Sequence, residues 1–244
     1  MIKEKRTANG IYRNIVILTG AGVSAESGVA TFRDNDGLWE KHAIEDVATP
    51  EGFAKNPALV YDFYNRRRAQ LKEVGPNAAH KALGRLQTAH EGDVTIVTQN
   101  VDDLHERGGA SSVIHMHGEL KKIRCRACAE VHTWESDCNE GTTCPTCNRV
   151  GTLRPDIVWF GEMPFHMDLI VERLEACDLF ISAGTSGNVY PAAGFVASVQ
   201  QYGRAHTIEV NLEPGEGAPI FAEHKYGKAA SLLPQLVDEL LGSI

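Results

Sequence analysis

From Asn14 to Leu241, short apolar runs of strand length alternate with longer segments whose apolar residues recur at helical spacing, and this alternation leaves few architectures open. Asn14–Thr19 is rich in β-branched residues and stops at Gly20-Ala21-Gly22, after which Ser24–Gly28 is placed to open a helix. Asn56–Lys72 carries Leu59, Val60, Phe63 and Leu71 along one stripe and starts at Asn56-Pro57; Asn77–Thr88 reads as a second long helix. Val94–Thr98 and Ser112–Met116 are strand-like, and Pro155–Phe160 is a further candidate strand. His166–Cys177 returns to helical spacing ahead of the strand Leu179–Ala183. The helix Pro191–Tyr202, the strand Thr207–Asn211 and the helix Leu232–Leu241 complete the series. Such a chain is expected to be α/β, with a mainly parallel sheet covered on both faces. Ligands of these sheets lie at the carboxyl ends of the strands. That rule selects Gly20-Ala21-Gly22, Gln99-Asn100-Val101-Asp102, His117-Gly118, Phe160-Gly161-Glu162, Gly184-Thr185-Ser186 and Asn211-Leu212-Glu213.

One polar stretch interrupts the alternation. It holds Cys125-x-x-Cys128 and, fifteen residues later, Cys144-x-x-Cys147, the spacing of a tetrahedral four-thiolate zinc site. A redox dithiol is the weaker reading, because two matched pairs complete one coordination shell. A closed shell of four sulfurs has no open position, so this zinc is expected to hold a small module together and to do no chemistry. Cys138 lies in the same stretch outside the two pairs, and Cys177 sits on an apolar helical face. Lys121, Lys122, Arg124 and Arg126 open the module, but Glu130, Glu135, Asp137 and Glu140 follow. A zinc ribbon that binds nucleic acid therefore stays a rival reading, opposed by 32 acidic against 24 basic residues and a net charge of −8. No apolar run reaches membrane-spanning length, and the basic residues before Ile15–Val23 do not make a secretory signal, because the apolar part is short and ends in a glycine turn. Paired thiols and no export signal point to the cytoplasm.

The remaining motifs concern a small-molecule site. Gly20-Ala21-Gly22-Val23-Ser24-Ala25 fits the glycine turn that lets backbone approach a pyrophosphate, although a tight strand-to-helix turn would look the same. Ala30–Glu40 is a polar loop with no second strand presenting an acid to a ribose, which disfavours hydride transfer. His115 and His117 stand two apart at a strand end, hence on one face; a single His beside a glycine suits a general base, and His115 has a structural reading. Gln99, Asn100 and Asp102 combine two amides with an acid, suited to a carboxamide, a ribose hydroxyl or a water.

Together these motifs resemble the sirtuin family of NAD-dependent protein deacylases over nearly the whole chain. The resemblance rests on Gly20 to Ser24 with Phe32-Arg33, Thr98 to Asp102, His117-Gly118, the four cysteines, Val158-Trp159-Phe160-Gly161-Glu162, Gly184-Thr185-Ser186 and Asn211. Ala48-Thr49-Pro50 and Tyr64-Asn65-Arg66-Arg67 make it most similar to the bacterial branch that shares features with desuccinylases.

The resemblance implies one catalytic domain with a Rossmann-like large lobe, from about 10–35, 90–118 and 155–244. A small lobe would comprise a helical part, about 36–89, and a zinc module, about 119–154. It implies NAD as a consumed co-substrate and one structural Zn²⁺. The acyl oxygen of an acylated protein lysine would attack the ribose carbon bearing nicotinamide, ending in free lysine and O-acyl-ADP-ribose. His117 would be the base, with Asn100 and Asp102 in the catalytic set. NAD contacts would come from Gly20, Ala21, Gly22, Ser24, Phe32, Arg33, Trp39, Gln99, Asn100, Asp102, Gly184, Thr185, Ser186, Asn211, Glu213 and Ala229. Val158 to Glu162 would pair with the substrate peptide as an added strand. Tyr64, Arg67 and small Ala48 would receive a succinyl group, although by helical spacing Arg68 is as well placed as Arg67, and Arg66 to Arg68 also read as a solvated face. No membrane or direct nucleic-acid partner is implied. Protein mono-ADP-ribosylation, which shares NAD cleavage, is the rival enzyme reading.

Overall fold

A computed structural model describes residues 12–29, 42–203 and 205–242, with the backbone of 38–39. β1 (Asn14–Thr19) runs into α1 (Ala21–Ala25), and β2 (Leu38–Trp39) pairs with β3 (His42–Ala43). α2 (Ile44–Val47), α3 (Pro50–Lys55), α4 (Pro57–Gln70) and α5 (Ala78–Ala89) lead to β4 (Asp93–Thr98), α6 (Leu104–Arg107) and β5 (Val113–His115). Then come β6 (Gly118–Cys125), β7 (Val131–Thr133) and β8 (Leu153–Ile157). α7 (Met167–Ala176), β9 (Leu179–Ala183), α8 (Phe195–Tyr202), β10 (His206–Asn211), β11 (Glu223–Tyr226) and α9 (Ala229–Leu241) follow.

Six strands form one parallel sheet in the order β11-β10-β9-β1-β4-β5. The run Ile15–Leu18 is apolar throughout because both faces are covered. Ile15 and Ile17 pack with Leu83 and Leu86 of α5 and Leu233 and Leu236 of α9, whereas Val16 and Leu18 pack with Ile170 and Leu174 of α7 and Val199 of α8. From β1 the chain builds outward through β4 and β5, then returns to β1's other side with β9. The carboxyl end of β1 is therefore the point where strand order reverses, and a crevice opens there.

Capping fixes the helix starts. Asn56 accepts from Leu59 N–H at 3.1 Å with Pro57 in the first turn, and Asn77 accepts from Ala79 N–H at 2.9 Å. α2 and α3 went unanticipated: they are too short to show a period, and Thr49 caps α3 by accepting from Gly52 N–H at 2.9 Å.

β6, β7 and β8 form a separate antiparallel sheet in the order β7-β6-β8. Its inner face shares a third core with α2 to α4, through Val47, Phe53, Val60, Phe63, Leu120, Ile123 and Leu153. The strand expected at Pro155–Phe160 is instead Leu153–Ile157, on the edge of this small sheet. Pro155 has no N–H to give a central ladder, so an edge is where it fits.

Candidate active site and metal centre

The loops after β1, β4, β9 and β10 meet, with His117 beyond β5 bonded to Gln99, whereas Phe160-Gly161-Glu162, expected at the end of a strand of the same sheet, instead follows β8 of the small sheet. Gly20 N–H donates to Ala183 O at 3.0 Å and Gly22 N–H to Gly184 O at 2.8 Å, so the loops after β1 and β9 interlock backbone to backbone. A Cβ on Gly22 would lie 2.8 Å from Gly184 Cα, and Gly184 itself has φ +63° with Val23 N 2.5 Å from where its Cβ would be. These glycines are therefore required by loop packing, whatever else they serve. Thr185 gathers two more strand ends: its hydroxyl accepts from Gln99 Nε2 at 3.0 Å and its carbonyl from Asn211 Nδ2 at 2.8 Å. Ser186 O receives Glu216 N–H at 3.1 Å. Ala21 opens α1, and Ala229 opens α9, whose next N–H, of Ala230, donates to Glu26 at 2.9 Å. Glu213 stands on the exposed segment beyond β10. Phe32 and Arg33 lie outside the described residues, and of Trp39 only the backbone, in β2, is described.

Beneath this rim runs a buried polar network. Asn77 N–H donates to His80 Nδ1 at 3.3 Å, which leaves the His80 proton on Nε2, 3.3 Å from Ser24 Oγ. The Ser24 hydroxyl donates to Asp102 Oδ2 at 2.9 Å, Leu104 N–H to Asp102 Oδ1 at 3.1 Å, and Asn100 Nδ2 to Ser24 Oγ at 3.0 Å and to Gly20 O at 3.1 Å. Burial raises the Asp102 pKa above the ordinary carboxylate value, and the Leu104 and Ser24 bonds pull it only partly back. His105 packs edge-to-face on His80, centroids 4.9 Å apart, and sits 2.9 Å from Thr19 Oγ1. Sequence reasoning missed Thr19, His80 and His105 as parts of this network. The available signal for Thr19 was a polar residue closing an apolar strand.

His115 and His117 do not share a strand face, because β5 ends at His115 and His117 lies in the turn to β6. Their partners give them opposite charge states. His115 reaches Asn100 O with Nδ1 at 3.3 Å and Glu106 Oε1 with Nε2 at 2.8 Å; a carbonyl and a carboxylate only accept, so both nitrogens carry protons. Burial works against that cation, but the Glu106 bond and charge outweigh it and raise the His115 pKa. His117 Nδ1 donates to Gln99 O at 3.1 Å, leaving Nε2 as an unprotonated basic nitrogen, and burial lowers its pKa so that the ring is neutral near pH 7.

Burial also drives His80 down to about 4 and, with the neighbouring histidines, His105 down to about 3. The linkage signs differ. The His115 pair contributes stability that is fully present below the unfolded value near 6.5 and is lost as pH rises through the higher folded value. Neutral His80 and His105 instead destabilise the fold as pH falls below 6.5 toward about 4 and 3. At pH 6.5 the ring-carbon NMR signals of His115 are expected in the imidazolium position and those of His80, His105 and His117 in the neutral one; a neutral His115 would overturn the assignment.

On α4 the reading of Arg66 to Arg68 as a solvated face holds for Arg66 alone, whose side chain is 71% exposed and pairs with Asp62 at 2.7 Å. Arg68 is buried and tied to the small lobe: Nε donates to Leu120 O at 2.9 Å and Nη1 to Asn65 Oδ1 at 2.9 Å and Ser136 O at 3.2 Å. Arg67 is buried too, its guanidinium 5.8 Å from the Phe63 ring centre, and Tyr64 is fully buried with its hydroxyl 2.9 Å from Trp159 Nε1. Ala48 is buried, and its carbonyl accepts from Phe160 N–H at 2.9 Å.

Val158 to Glu162 leave the small sheet as a loop. Their N–H groups are already engaged at four positions: Val158 with His117 O, Trp159 with Glu162, Phe160 with Ala48 O and Glu162 with Trp159 O. An added strand would have to bond through this loop's carbonyls and Gly161 N–H.

Cys125, Cys128, Cys144 and Cys147 bring their sulfurs within 4.8 Å of one another, with Cys125–Cys147 at 3.7 Å and Cys128–Cys144 at 3.8 Å. Four sulfurs at Zn–S ≈ 2.3 Å in a tetrahedron lie about 3.8 Å apart. Ala127 N–H points at Cys125 Sγ at 3.4 Å, and His132 Nε2 lies 3.8 Å from Cys144 Sγ, contacts suited to thiolates. Cys138 is outside the cluster, with its backbone bonded to Asn65.

The Sir2 family profile matches residues 20–191. A parallel sheet with a reversal crevice and an inserted cysteine module is the architecture of that family, and the chain belongs to it. The NAD-dependent protein deacylase of Vibrio vulnificus strain YJ016 is 58% identical over 235 residues, 96% of each chain. Among solved structures, a Sir2 homologue–NAD complex is 39% identical with TM-score 0.86, covering 95% of this chain and 91% of that one. A Sir2–p53 peptide–NAD⁺ complex is 28% identical with TM-score 0.78, covering 93% of each.

Proposed function

We propose that the protein is an NAD-dependent protein-lysine deacylase that removes acetyl and succinyl groups, yielding free lysine, nicotinamide and O-acyl-ADP-ribose. The observation that carries this reading is a neutral imidazole, His117, bonded through Nδ1 to the loop after β4 at the crevice where strand order reverses. In this reading the large lobe, from about 10–35, 90–118 and 155–244, holds NAD. The helices of about 36–89 and the module of about 119–154 form the small lobe, although β8 pairs within the small sheet and so moves that boundary past Ile157.

His117 Nε2 takes the proton of a ribose hydroxyl. Ser24 and Leu104 N–H hold the Asp102 carboxylate in place, and Asn100, its amide nitrogen engaged with Gly20 and Ser24, presents its amide oxygen. Gln99, Gly184, Thr185, Ser186, Asn211 and Ala229 would contact the rest of NAD, with Gly20, Ala21, Gly22 and Glu213, and Phe32, Arg33 and Trp39 are assigned to the same ligand. The four cysteines hold one Zn²⁺, which supplies structure only. Among the described residues no helix is long and apolar enough to cross a membrane, and we place the enzyme in the cytoplasm. Peptides carrying acetyl- or succinyl-lysine, incubated with and without NAD and followed by mass spectrometry, test the reading. NAD-dependent loss of the acyl group supports it; ADP-ribose appearing on protein without acyl loss favours a transferase.

For the succinyl group, Arg67, buried on α4 with its guanidinium 5.8 Å from the Phe63 ring centre, is proposed as the planar, partly desolvated fork for a carboxylate, with Tyr64 one turn before it. Arg67→Met is expected to lower kcat/KM for succinyl peptide at least tenfold more than for acetyl peptide. Equal losses on both peptides, or a selective loss only in Arg68→Met, would exclude Arg67 as the carboxylate reader.

A further inference from the structure

Thr98, the last residue of β4, is fully buried and polar where Ile96 and Val97 before it are apolar. Its hydroxyl oxygen accepts the Asn100 N–H at 3.0 Å, a local bond that turns the chain out of the strand. That N–H and the Gln99 carbonyl belong to one planar peptide unit. Holding one end of the plane therefore aims the other. Gln99 O, pointing the opposite way across the trans peptide, is the acceptor of His117 Nδ1 at 3.1 Å. The Thr98 hydroxyl thus stands one rigid peptide away from the bond that decides which nitrogen of His117 carries the proton.

The hydroxyl is itself held from behind. Thr19, its partner in register on β1, donates its own hydroxyl to Thr98 Oγ1 at 2.9 Å, and the Thr19 oxygen in turn receives His105 Nε2 at 2.9 Å. That order puts the His105 proton on Nε2 and leaves Nδ1 bare, buried and without a hydrogen-bond partner among the described residues. Thr19, Thr98 and His105 are all fully buried, so bulk water does not reach these bonds. Two backbone anchors complete the frame. Gln99 N–H donates to Thr19 O at 2.9 Å and Met116 N–H to Thr98 O at 3.1 Å, so the turn is tied to β1 on one side and to the His117 segment on the other. We propose that Thr98, backed by Thr19 and His105, is a positioning residue that fixes the Gln99–Asn100 peptide and with it the Nδ1-protonated tautomer of His117. The role rests on the reading of His117 as the base of a deacylase. A hydroxyl that served packing alone would affect stability; this one also sets which ring nitrogen is basic.

The test compares Thr98→Val, which keeps the shape and removes the hydroxyl, with Thr98→Ser, which keeps the hydroxyl and loses the methyl. Zinc content and thermal unfolding establish that each protein folds. In wild type labelled at the histidine ring nitrogens, the NMR signals of His117 are expected to show a protonated Nδ1 and a bare Nε2 at a pH where the ring is neutral. Thr98→Val should transfer a measurable share of the ring to the Nε2-protonated form, and Thr98→Ser should restore the wild-type signals. Only a ring with Nε2 bare can take a proton there, so kcat on acetyl peptide should fall about 2–10-fold in Thr98→Val, the worth of one buried neutral hydrogen bond, with KM for NAD little changed. Thr19→Val, which removes the backing hydroxyl and leaves the Asn100–Thr98 bond in place, should give a smaller shift of the same kind and serves if the first variant does not fold. A wild-type tautomer in the folded valine variants would overturn the proposal, as would equal losses of kcat in Thr98→Val and Thr98→Ser. The tautomer is read without turnover, which separates the two ideas. A shifted tautomer in Thr98→Val, beside a wild type that removes no acyl group, would leave the positioning role standing and sink the deacylase reading; an unshifted tautomer beside active deacylation would sink the positioning role alone.

Discussion

A folded His117→Ala protein is expected to retain its zinc and its affinity for NAD while losing about 10²–10⁴-fold in deacylation, the usual worth of a positioned general base. The size follows from how the ring is held. Gln99 O fixes the proton on Nδ1, so the base nitrogen is always Nε2, and no tautomer has to be selected before reaction. Burial lowers the ring's pKa, so the neutral form persists below pH 6.5. Accordingly, kcat/KM for the wild type should hold steady through pH 6.5 and fall only at lower pH. Alanine removes base and pH limb together. Steady-state kinetics on acetyl peptide and calorimetric NAD titration of the same sample measure both sides of the claim, and near-normal turnover by the folded variant would remove His117 from this role. His115 is no substitute: both its nitrogens already donate, to Asn100 O and Glu106.

Elements with a long period or a cap were legible in the sequence. Asn56-Pro57 and Asn77 gave helix starts within a residue of α4 and α5, and the β-branched runs gave β1, β4, β9 and β10 almost to the residue. What failed was short or two-sided. α2 and α3 span four and six residues, too few to display a period. Residues 118 to 125 lose their alternation at the adjacent Lys121-Lys122, where the pairing with β8 shifts register, so no strand was anticipated there. Pro155–Phe160 looked like another interior strand, yet Arg154 and Asp156 put charges on an edge strand, where they are covered by pairing with Glu162 and Arg124.

The site was legible where chemistry dictates spacing and opaque where it dictates only burial. Cysteine pairs declare themselves, and the strand-end rule located Gln99, Thr185 and Asn211, which touch. The support beneath them did not show. Nothing in the sequence says that His80, nineteen residues before Gln99 in a helix cap, reaches back to Ser24, or that Asn100 gives its amide nitrogen to Gly20 rather than to a ligand. Periodicity also misled at His115 and His117, since it assumes extended backbone through both, whereas β5 ends at His115. On α4 it could not show that Arg68 is held by the carbonyls of Leu120 and Ser136, brought over by the small sheet.

The largest loss of stability is expected at Cys144. Cys144→Ser should release zinc and unfold the module, whereas Cys138→Ser should retain one zinc per chain. Both thiols are buried, so burial does not distinguish them; the partners do. Cys144 Sγ is 3.8 Å from Cys128 Sγ in the four-sulfur cluster, while Cys138 packs in the apolar core with its backbone bonded to Asn65. Structural zinc in small modules is worth roughly 10–16 kcal/mol in apparent binding energy, comparable to the whole stability of a typical domain, about 5–15 kcal/mol. The damage would not stay within the ribbon. Cys125 and Cys144 belong to the same core as Phe53, Val60, Tyr64 and Trp159, so losing the metal loosens the helical part packed on the module as well. Deacylation should therefore fall in Cys144→Ser although zinc takes no part in the chemistry, and a chelator should reproduce the loss in the wild type. Metal analysis beside thermal unfolding decides the assignment. Zinc kept by Cys144→Ser and lost by Cys138→Ser would transfer the fourth ligand to Cys138.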